Sequence, residues 1–209
     1  MKKFMLLPIL LLFVYAPVVH AQSLDIPIKG YGISFGNSKN FTGLRFNIVD
    51  KEVEQINGLN LAFGSVGEHA EMNGIALGAL VGGEGSSLNG IALGVAASFK
   101  KIRGISIGGW YGNFSTESLI GIQMGFLGSV VSKGTGVSVG GLLNVSKDEF
   151  NGIAIGGLVN YAKEMNGLQI GLFNRAEELN GIQIGLINYA GNNSPGLQWL
   201  PLINAHFSF

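Results

Sequence analysis

The sequence predicts an all-β fold built from a short repeat. A pair of glycines recurs about every 15 residues, and the residues around each pair alternate between apolar and small or polar types. The clearest copies are segments 151–156, 166–171 and 180–185, which read Asn-Gly-Ile-Ala-Ile-Gly, Asn-Gly-Leu-Gln-Ile-Gly and Asn-Gly-Ile-Gln-Ile-Gly. A fixed period this short is typical of an array of equivalent units, none of which can bury its apolar face alone.

The first glycine of each pair fixes the spacing of the repeat, which varies between 14 and 17 residues. The second glycine follows four positions later and is replaced in outer copies by Asn47, Ala62 and Leu200. Degenerate outer copies are usual at the ends of an array, where a unit has different neighbours. The leading glycines are Gly43, Gly58, Gly74, Gly90, Gly104, Gly121, Gly136, Gly152, Gly167, Gly181 and Gly196.

Within each copy the apolar residues recur at every second position, which indicates a strand. In the copy at Gly121, Ile122 and Met124 point to one face and Gln123 to the other. A helix would lose about 1 kcal/mol for each glycine in its interior. The predicted apolar stripe, facing either lipid or a protein core, consists of Ile91, Leu93, Ile122, Met124, Phe126, Ile153, Ile155, Leu168, Ile170, Ile182 and Ile184.

An antiparallel transmembrane β-barrel is the first architecture that fits this pattern. Counting 30–36 as an additional strand gives about twelve strands, an even number as bacterial barrels have. The chain ends on Phe207 and Phe209, which resemble the assembly signal of outer-membrane barrels. The expected partners are then outer-membrane lipid and the barrel-assembly machinery, with no ligand identified. In this barrel Ile184→Lys costs roughly 2–4 kcal/mol, whereas Gln183→Lys is tolerated.

A parallel β-solenoid with coils of about 15 residues is the alternative architecture. An apolar residue precedes many leading glycines by two positions and would point into the solenoid core, as at Ile56, Met72 and Leu88. An asparagine follows it in most copies and would stack as a ladder along one corner. In this alternative the isoleucine stripe also belongs to the core.

The N-terminus predicts export. Lys2 and Lys3 precede an apolar run over 4–14, and Val-His-Ala at 19–21 fits a signal-peptidase site, so we expect 1–21 to be cleaved and 22–209 to form one β domain. Removal of both lysines leaves 11 basic against 13 acidic residues, a net charge of −2. This balance does not indicate the basic surface that nucleic-acid binding requires. The chain has no cysteine, which excludes disulfides and thiolate metal sites.

The repeat resembles a family of bacterial glycine-rich surface-repeat proteins. The resemblance is carried by Gly-Leu-Arg-Phe-Asn at 43–47, by the repeated Asn-Gly-(Ile/Leu)-Gln-Ile-Gly-Leu-(Ile/Phe)-Asn and by Leu-Pro-Leu-Ile-Asn-Ala-His-Phe at 200–207. It implies an exported protein of the outer membrane or cell surface and assigns no catalytic residue. The function expected is a structural or small-solute-passage role for the barrel, or a binding or adhesion scaffold for the solenoid.

The ionisable residues do not form a recognisable catalytic or metal-binding motif. His69 lies between Glu68 and Glu71, but zinc needs three or four convergent ligands. The glycine-rich segment 82–87 lacks the lysine and the following helix of a phosphate-binding loop. We therefore predict no enzymatic activity, no metal and no cofactor.

Overall fold

The computed structural model describes residues 23–65, 70–83 and 85–208. The predicted signal peptide at 1–21, the Glu68–His69 pair and the terminal Phe209 lie outside the described residues, so the expectations for them stay predictions.

The described chain is all-β, as predicted, and contains no helix. One sheet joins the strands in sequence order. The strands are β1 (Leu24–Ile28), β2 (Tyr31–Phe35), β3 (Asn40–Asp50), β4 (Gln55–Ser65), β5 (Glu71–Gly82), β6 (Ser87–Gly125), β7 (Gly128–Gly140), β8 (Leu143–Ala190) and β9 (Trp199–His206).

Neighbouring strands from β2 to β8 pair in parallel and place equivalent residues of successive copies side by side. Gly43 lies opposite Gly58, Gly58 opposite Gly74, and the same alignment continues through β6, β7 and β8. The long strands β6 and β8 each wind through several coils, so that one part of the strand stacks on the next. The chain is therefore a parallel β-solenoid in which each repeat forms one coil.

The antiparallel barrel is thus not the architecture of this chain; the alternative solenoid is. The near-constant spacing of the glycines has a physical reason, because each coil must bring the chain back to the same corner before the next one begins. The turns of a barrel carry no such requirement. Gly196 does not continue the glycine column, since it lies in the loop before β9, and Gly32 of β2 occupies the first position instead.

The leading glycines form a column along one corner of the solenoid. From Gly32 to Gly181 each has a positive φ, as at Gly152 with +136°, a conformation that other residues rarely adopt. A methyl group on Gly152 would overlap the carbonyl oxygen of Gly136 in the preceding coil. The glycine is needed both for its backbone conformation and for the close approach of two backbones.

A column of apolar side chains forms the centre of the core, as the solenoid alternative predicts for the position two before each leading glycine. Its buried members are Phe41, Ile56, Met72, Leu88, Ile102, Leu119, Phe150, Met165 and Leu179. The copy at Gly136 has Gly134 at this position, and the ring of Phe150 fills the space where a Gly134 side chain would lie.

The predicted asparagine ladder is confirmed at the neighbouring corner position only in the earlier coils, since Nδ2 of Asn151 and of Asn166 donate instead to Oε1 of Glu149 at 3.0 and 3.4 Å. The Nδ2 atom of Asn73 donates to Oδ1 of Asn57 at 2.9 Å, and that of Asn89 donates to Oδ1 of Asn73 at 2.8 Å.

Phe150→Ala is expected to destabilise the fold by about 3–5 kcal/mol, because truncation removes a fully buried ring and leaves a cavity that also spans the space over Gly134. The measurement is urea unfolding followed by circular dichroism. Adding Gly134→Leu to Phe150→Ala should recover part of the loss by refilling that space. Phe63→Ala is the control, since Phe63 is 71% exposed. Equal losses for the variants at Phe150 and Phe63 would contradict this core.

The interior at the second position after each leading glycine is small or polar rather than apolar. Gln183 and Gln169 are both fully buried, and Nε2 of Gln183 donates to Oε1 of Gln169 at 2.7 Å and to the carbonyl oxygen of Tyr189 at 2.9 Å. The same column contains Asn60, Ala76, Ala92, Ser106, Gln123, Ser138 and Ala154. The coil is narrow here, so one glutamine reaches the carbonyl groups of the opposite wall.

Buried asparagines hold the corner after the second glycine, a role that the sequence analysis missed. Nδ2 of Asn188 donates to the carbonyl oxygen of Gly185 at 3.0 Å, and Nδ2 of Asn174 donates to that of Gly171 at 3.1 Å. Asn174 also donates to Oδ1 of Asn188 at 2.8 Å. The signal that identifies them is an asparagine three residues after the second glycine.

Antiparallel strands cover both ends of the solenoid. β1 pairs antiparallel with β2, and β9 pairs antiparallel with the last part of β8, where Asn204 lies opposite Gln183. The Asp25 side chain fixes the N-terminal cap: it accepts from the amide of Gly30 at 2.9 Å and from the Ser38 hydroxyl at 2.8 Å. Burial raises the pKa of Asp25, but hydrogen bonds led by that from Ser34 outweigh it, and the pKa is lowered.

Candidate interaction surface

The predicted apolar stripe lies on the outside of the solenoid. Ile182 and Ile184 are 38% and 43% exposed, while Gln183 between them is 0% exposed. Of the other predicted residues, Ile91, Leu93, Met124, Phe126 and Ile153 are exposed, and Ile122, Ile155, Leu168 and Ile170 are half-buried within their rows. The solenoid alternative placed this stripe in the core, and the structure corrects that orientation because the core is filled from other positions.

Two outer columns result, at the first and third positions after each leading glycine. Each residue packs beside its equivalents in the coils above and below, which explains why even outward-pointing side chains keep only part of their surface exposed. We call these two columns the outer columns.

A second apolar feature follows directly after the second glycine, where two consecutive residues point outward. Leu186 and Ile187 are 61% and 50% exposed. Strict alternation would place one of them inside, so the chain bends at this point. The same corner ridge contains Phe126, Leu127, Leu142, Leu143, Leu158 and Leu172. The outer columns and the corner ridge together form what we call the apolar belt.

The apolar belt contains no charged residue, and the charged residues lie elsewhere on the coil. They lie between the corner ridge of one coil and the leading glycine of the next, a region that we call the charged edge. Its members include the half-buried Lys100 and the exposed Lys101, Arg103, Glu117, Lys133, Lys147, Lys163, Arg175, Glu177 and Glu178. The outer surface is therefore amphipathic around the coil.

Ion pairs form at two places on the charged edge. Glu117 lies 3.0 Å from Nζ of Lys100 and 3.5 Å from that of Lys101. The hydrogen bond from Lys100, followed by its charge and by Lys101, lowers the pKa of Glu117 despite slight desolvation. Arg175 lies 3.4 Å from Glu177. Exposed ion pairs of this kind contribute little to the stability of the fold.

Aromatic side chains lie at the border between the apolar belt and the charged edge. Trp110 stacks on Phe126 of the ridge with ring centroids 5.0 Å apart. At the C-terminal end Trp199 packs on Tyr189 at 4.6 Å, and the Arg175 guanidinium lies 5.2 Å from the centre of the Tyr189 ring. A similar border residue, Tyr161, donates to Glu177 at 3.3 Å; burial first, and then the carboxylate of Glu177, raises the pKa of Tyr161.

The other residues that the sequence analysis considered for chemistry are dispersed. Glu71 is exposed at the start of β5, and Nδ1 of His206 lies 2.7 Å from Oδ1 of Asn193. Within the described residues no three His, Cys, Asp or Glu side chains are placed to share a metal ion. Across the same ranges there is no helix of the length and hydropathy needed to cross a bilayer. Phe207 is exposed directly after β9.

One buried charged cluster was not anticipated. Arg45 occupies the interior column where other copies have Ala, Ser, Asn or Gln, and it forms an ion pair with Asp50. Nη1 of Arg45 also donates to Oδ1 of Asn60 at 2.8 Å, and Asn60 donates to Asp50 at 2.7 Å. Both charged side chains are fully buried, so the cluster presents no surface to a ligand. The Nε atom of Arg45 has no hydrogen-bond partner among the described residues. The sequence signal that could have predicted this cluster is an arginine at the second position after a leading glycine, where other copies have small or uncharged residues.

Comparison with known proteins adds no relative: no family model matches the chain, and no match is found among the curated proteins or the solved structures. The resemblance to the glycine-rich surface-repeat family therefore stays a prediction.

Proposed function

We propose that this chain is an exported, non-catalytic β-solenoid that serves as a binding scaffold at the bacterial cell envelope. The apolar belt is the observation that supports this proposal. Soluble monomers rarely expose a contiguous apolar patch larger than a few hundred Å², and larger ones mark interaction sites. The column of glycines from Gly32 to Gly181, at ~4.8 Å per coil, is about 50 Å long, and the belt runs along most of it.

The N-terminal sequence supports the location, since 1–21 has the organisation of a secretory signal peptide. The ionisable groups support a non-catalytic role, because those of the charged edge are spread along the surface and, within the described residues, no three His, Cys, Asp or Glu side chains converge. Outer-membrane or cell-surface placement remains part of the proposal. The barrel-assembly machinery was predicted as a partner because of the barrel architecture, and it is not part of the proposal for a solenoid.

The test uses full-length chain expressed in a Gram-negative host. We expect an envelope-associated product that begins at Gln22, and an unprocessed precursor for Ala21→Arg, because the peptidase requires a small residue there.

The processed protein, folded in buffer, should enhance the fluorescence of a hydrophobic-surface dye. The belt variant Ile153→Lys with Leu172→Lys should reduce that enhancement several-fold at unchanged circular dichroism.

The control variant Gln55→Lys with Thr135→Lys adds the same charge at exposed positions outside the belt and should leave dye binding unchanged. Unprocessed protein in the cytoplasm would reject the exported function. Equal dye binding by the belt and control variants would reject the belt as the working surface.

A further inference from the structure

We infer that the apolar belt binds the hydrocarbon of one membrane leaflet, with the long axis of the solenoid lying in the plane of the membrane surface. This inference rests on the proposed function, and it names the partner of the same surface.

The shape of the belt favours lipid over a second protein surface. The outer columns lie on one side of the corner and the ridge turns around it, as the consecutive exposed pair Leu186 and Ile187 shows. The belt is therefore convex across its width. A second copy of this chain, packed sheet against sheet, would cover the outer columns and leave the ridge in water. Fluid acyl chains cover both.

The chemistry of the belt points the same way. About 50 Å of length and roughly six residues of arc at ~3.3 Å each give about 1,000 Å². A protein interface of that size carries several direct hydrogen bonds. The outer columns offer only Ile, Leu, Val, Phe and Met side chains from Ile33 to Ile184, and their backbone groups are occupied by the parallel ladder. Hydrocarbon chains have no hydrogen-bond donors or acceptors, so they are the partner that fits a surface of this kind.

The border residues fix the orientation. Trp110 and Tyr111, each 62% exposed, lie at the ridge position of their coil, on the side next to the charged edge. At the C-terminal end Tyr189, which packs on Trp199, directly follows the buried Asn188 and lies beside the same edge. Tryptophan and tyrosine concentrate where acyl chains meet headgroups. With the aromatic border at that depth, the belt enters the leaflet by about 5–10 Å and the charged edge stays in water.

The inference also excludes an electrostatic mode of binding. The charged edge faces away from the membrane and carries charges of both signs, with ion pairs at Glu117 and Arg175, while the processed chain has a net charge of −2. Binding should therefore need no anionic lipid and should not weaken with salt, in contrast to polybasic membrane segments.

The experiment is flotation of the processed protein with vesicles of phosphatidylcholine alone and with added phosphatidylglycerol, at low and high salt. We expect the protein to float with both vesicles at both salt concentrations. The belt variant Ile153→Lys with Leu172→Lys should lose at least tenfold in binding, and the control Gln55→Lys with Thr135→Lys should bind normally. The two tryptophans of the chain, Trp110 and Trp199, should be quenched by lipids brominated near the headgroup end of the acyl chain.

Four outcomes would overturn the inference. Protein that stays unbound, with the belt still binding dye, rejects lipid and leaves the scaffold function standing. A dimer in sedimentation that the belt variant dissociates assigns the belt to a second copy. Binding that requires phosphatidylglycerol, or is lost in salt, assigns it to the charged edge. Quenching that is strongest at the bilayer centre rejects the shallow orientation.

Discussion

Gly152→Ala is expected to destabilise the solenoid by at least about 3 kcal/mol and to prevent folding if the margin is small. Two effects combine at this position. The φ of +136° is strained for any residue with a side chain, and the added methyl group overlaps the carbonyl oxygen of Gly136 in the neighbouring coil. Relief requires two coils to separate, which lengthens backbone hydrogen bonds on both sides of the column. The measurement is urea unfolding followed by circular dichroism.

Two other glycines separate these effects. Gly196 has a φ of +93° and open space around it, so Gly196→Ala should show the conformational strain alone, about 1–2 kcal/mol. Gly64 has open space and no left-handed φ, so Gly64→Ala should be close to neutral. If Gly152→Ala is no more harmful than Gly196→Ala, close backbone contact along the glycine column is not required.

Lysine substitution at adjacent residues should give opposite results at Gln183 and Ile184. Gln183→Lys places an ammonium group inside the coil at a position that is 0% exposed, where it loses its hydration without gaining a carboxylate partner. A buried unpaired charge costs about 3–5 kcal/mol. Ile184→Lys places the same group on the outer column and should cost less than about 1 kcal/mol in water without lipid.

The comparison is sharp because the barrel predicts the reverse order for the same two variants. The measurement is the urea unfolding of both variants in the absence of detergent. Gln183→Met is the control, because it keeps the side-chain length but carries no charge. It therefore separates the cost of burying a charge from the loss of the hydrogen bonds to Gln169 and Tyr189. An Ile184→Lys protein less stable than Gln183→Lys would show that the stripe, not the glutamine column, faces the interior.

The repeat, its strands and two of its columns could be predicted from the sequence, because they depend on local periodicity. The apolar residue two before each glycine, such as Ile56, and the asparagine that follows it are both where the solenoid alternative expects them. The direction of the coil could not be predicted. Alternation identifies two faces of a strand, and an apolar face is normally the buried one. Here Gln183 and Gln169 occupy the inside because the opposite wall of the coil supplies carbonyl acceptors within reach. The sequence does not show these acceptors, since they come close only when the coil has folded.

The candidate surface was predicted only in part for the same reason. Members of the outer columns, such as Ile153, were identified as a stripe, but lipid was assigned to them through a barrel. The corner ridge was missed because the pair Leu186 and Ile187 interrupts the period of two and offers no pattern of its own. The Arg45–Asp50 pair was missed because five residues of separation become a contact only when the chain bends around the corner between them.

The two antiparallel capping strands determine that the array has a fixed length. Equivalent residues stacked in parallel register are also the organisation of cross-β fibrils, in which each layer is a template for the next. At both ends of the described part of the chain the outermost strand runs in the opposite direction, and it contains a proline, Pro27 in β1 and Pro201 in β9, that offers no amide to an incoming strand. The stacking that holds the coils together therefore stops within one chain, and the protein gains the cohesion of a fibril without its capacity for growth.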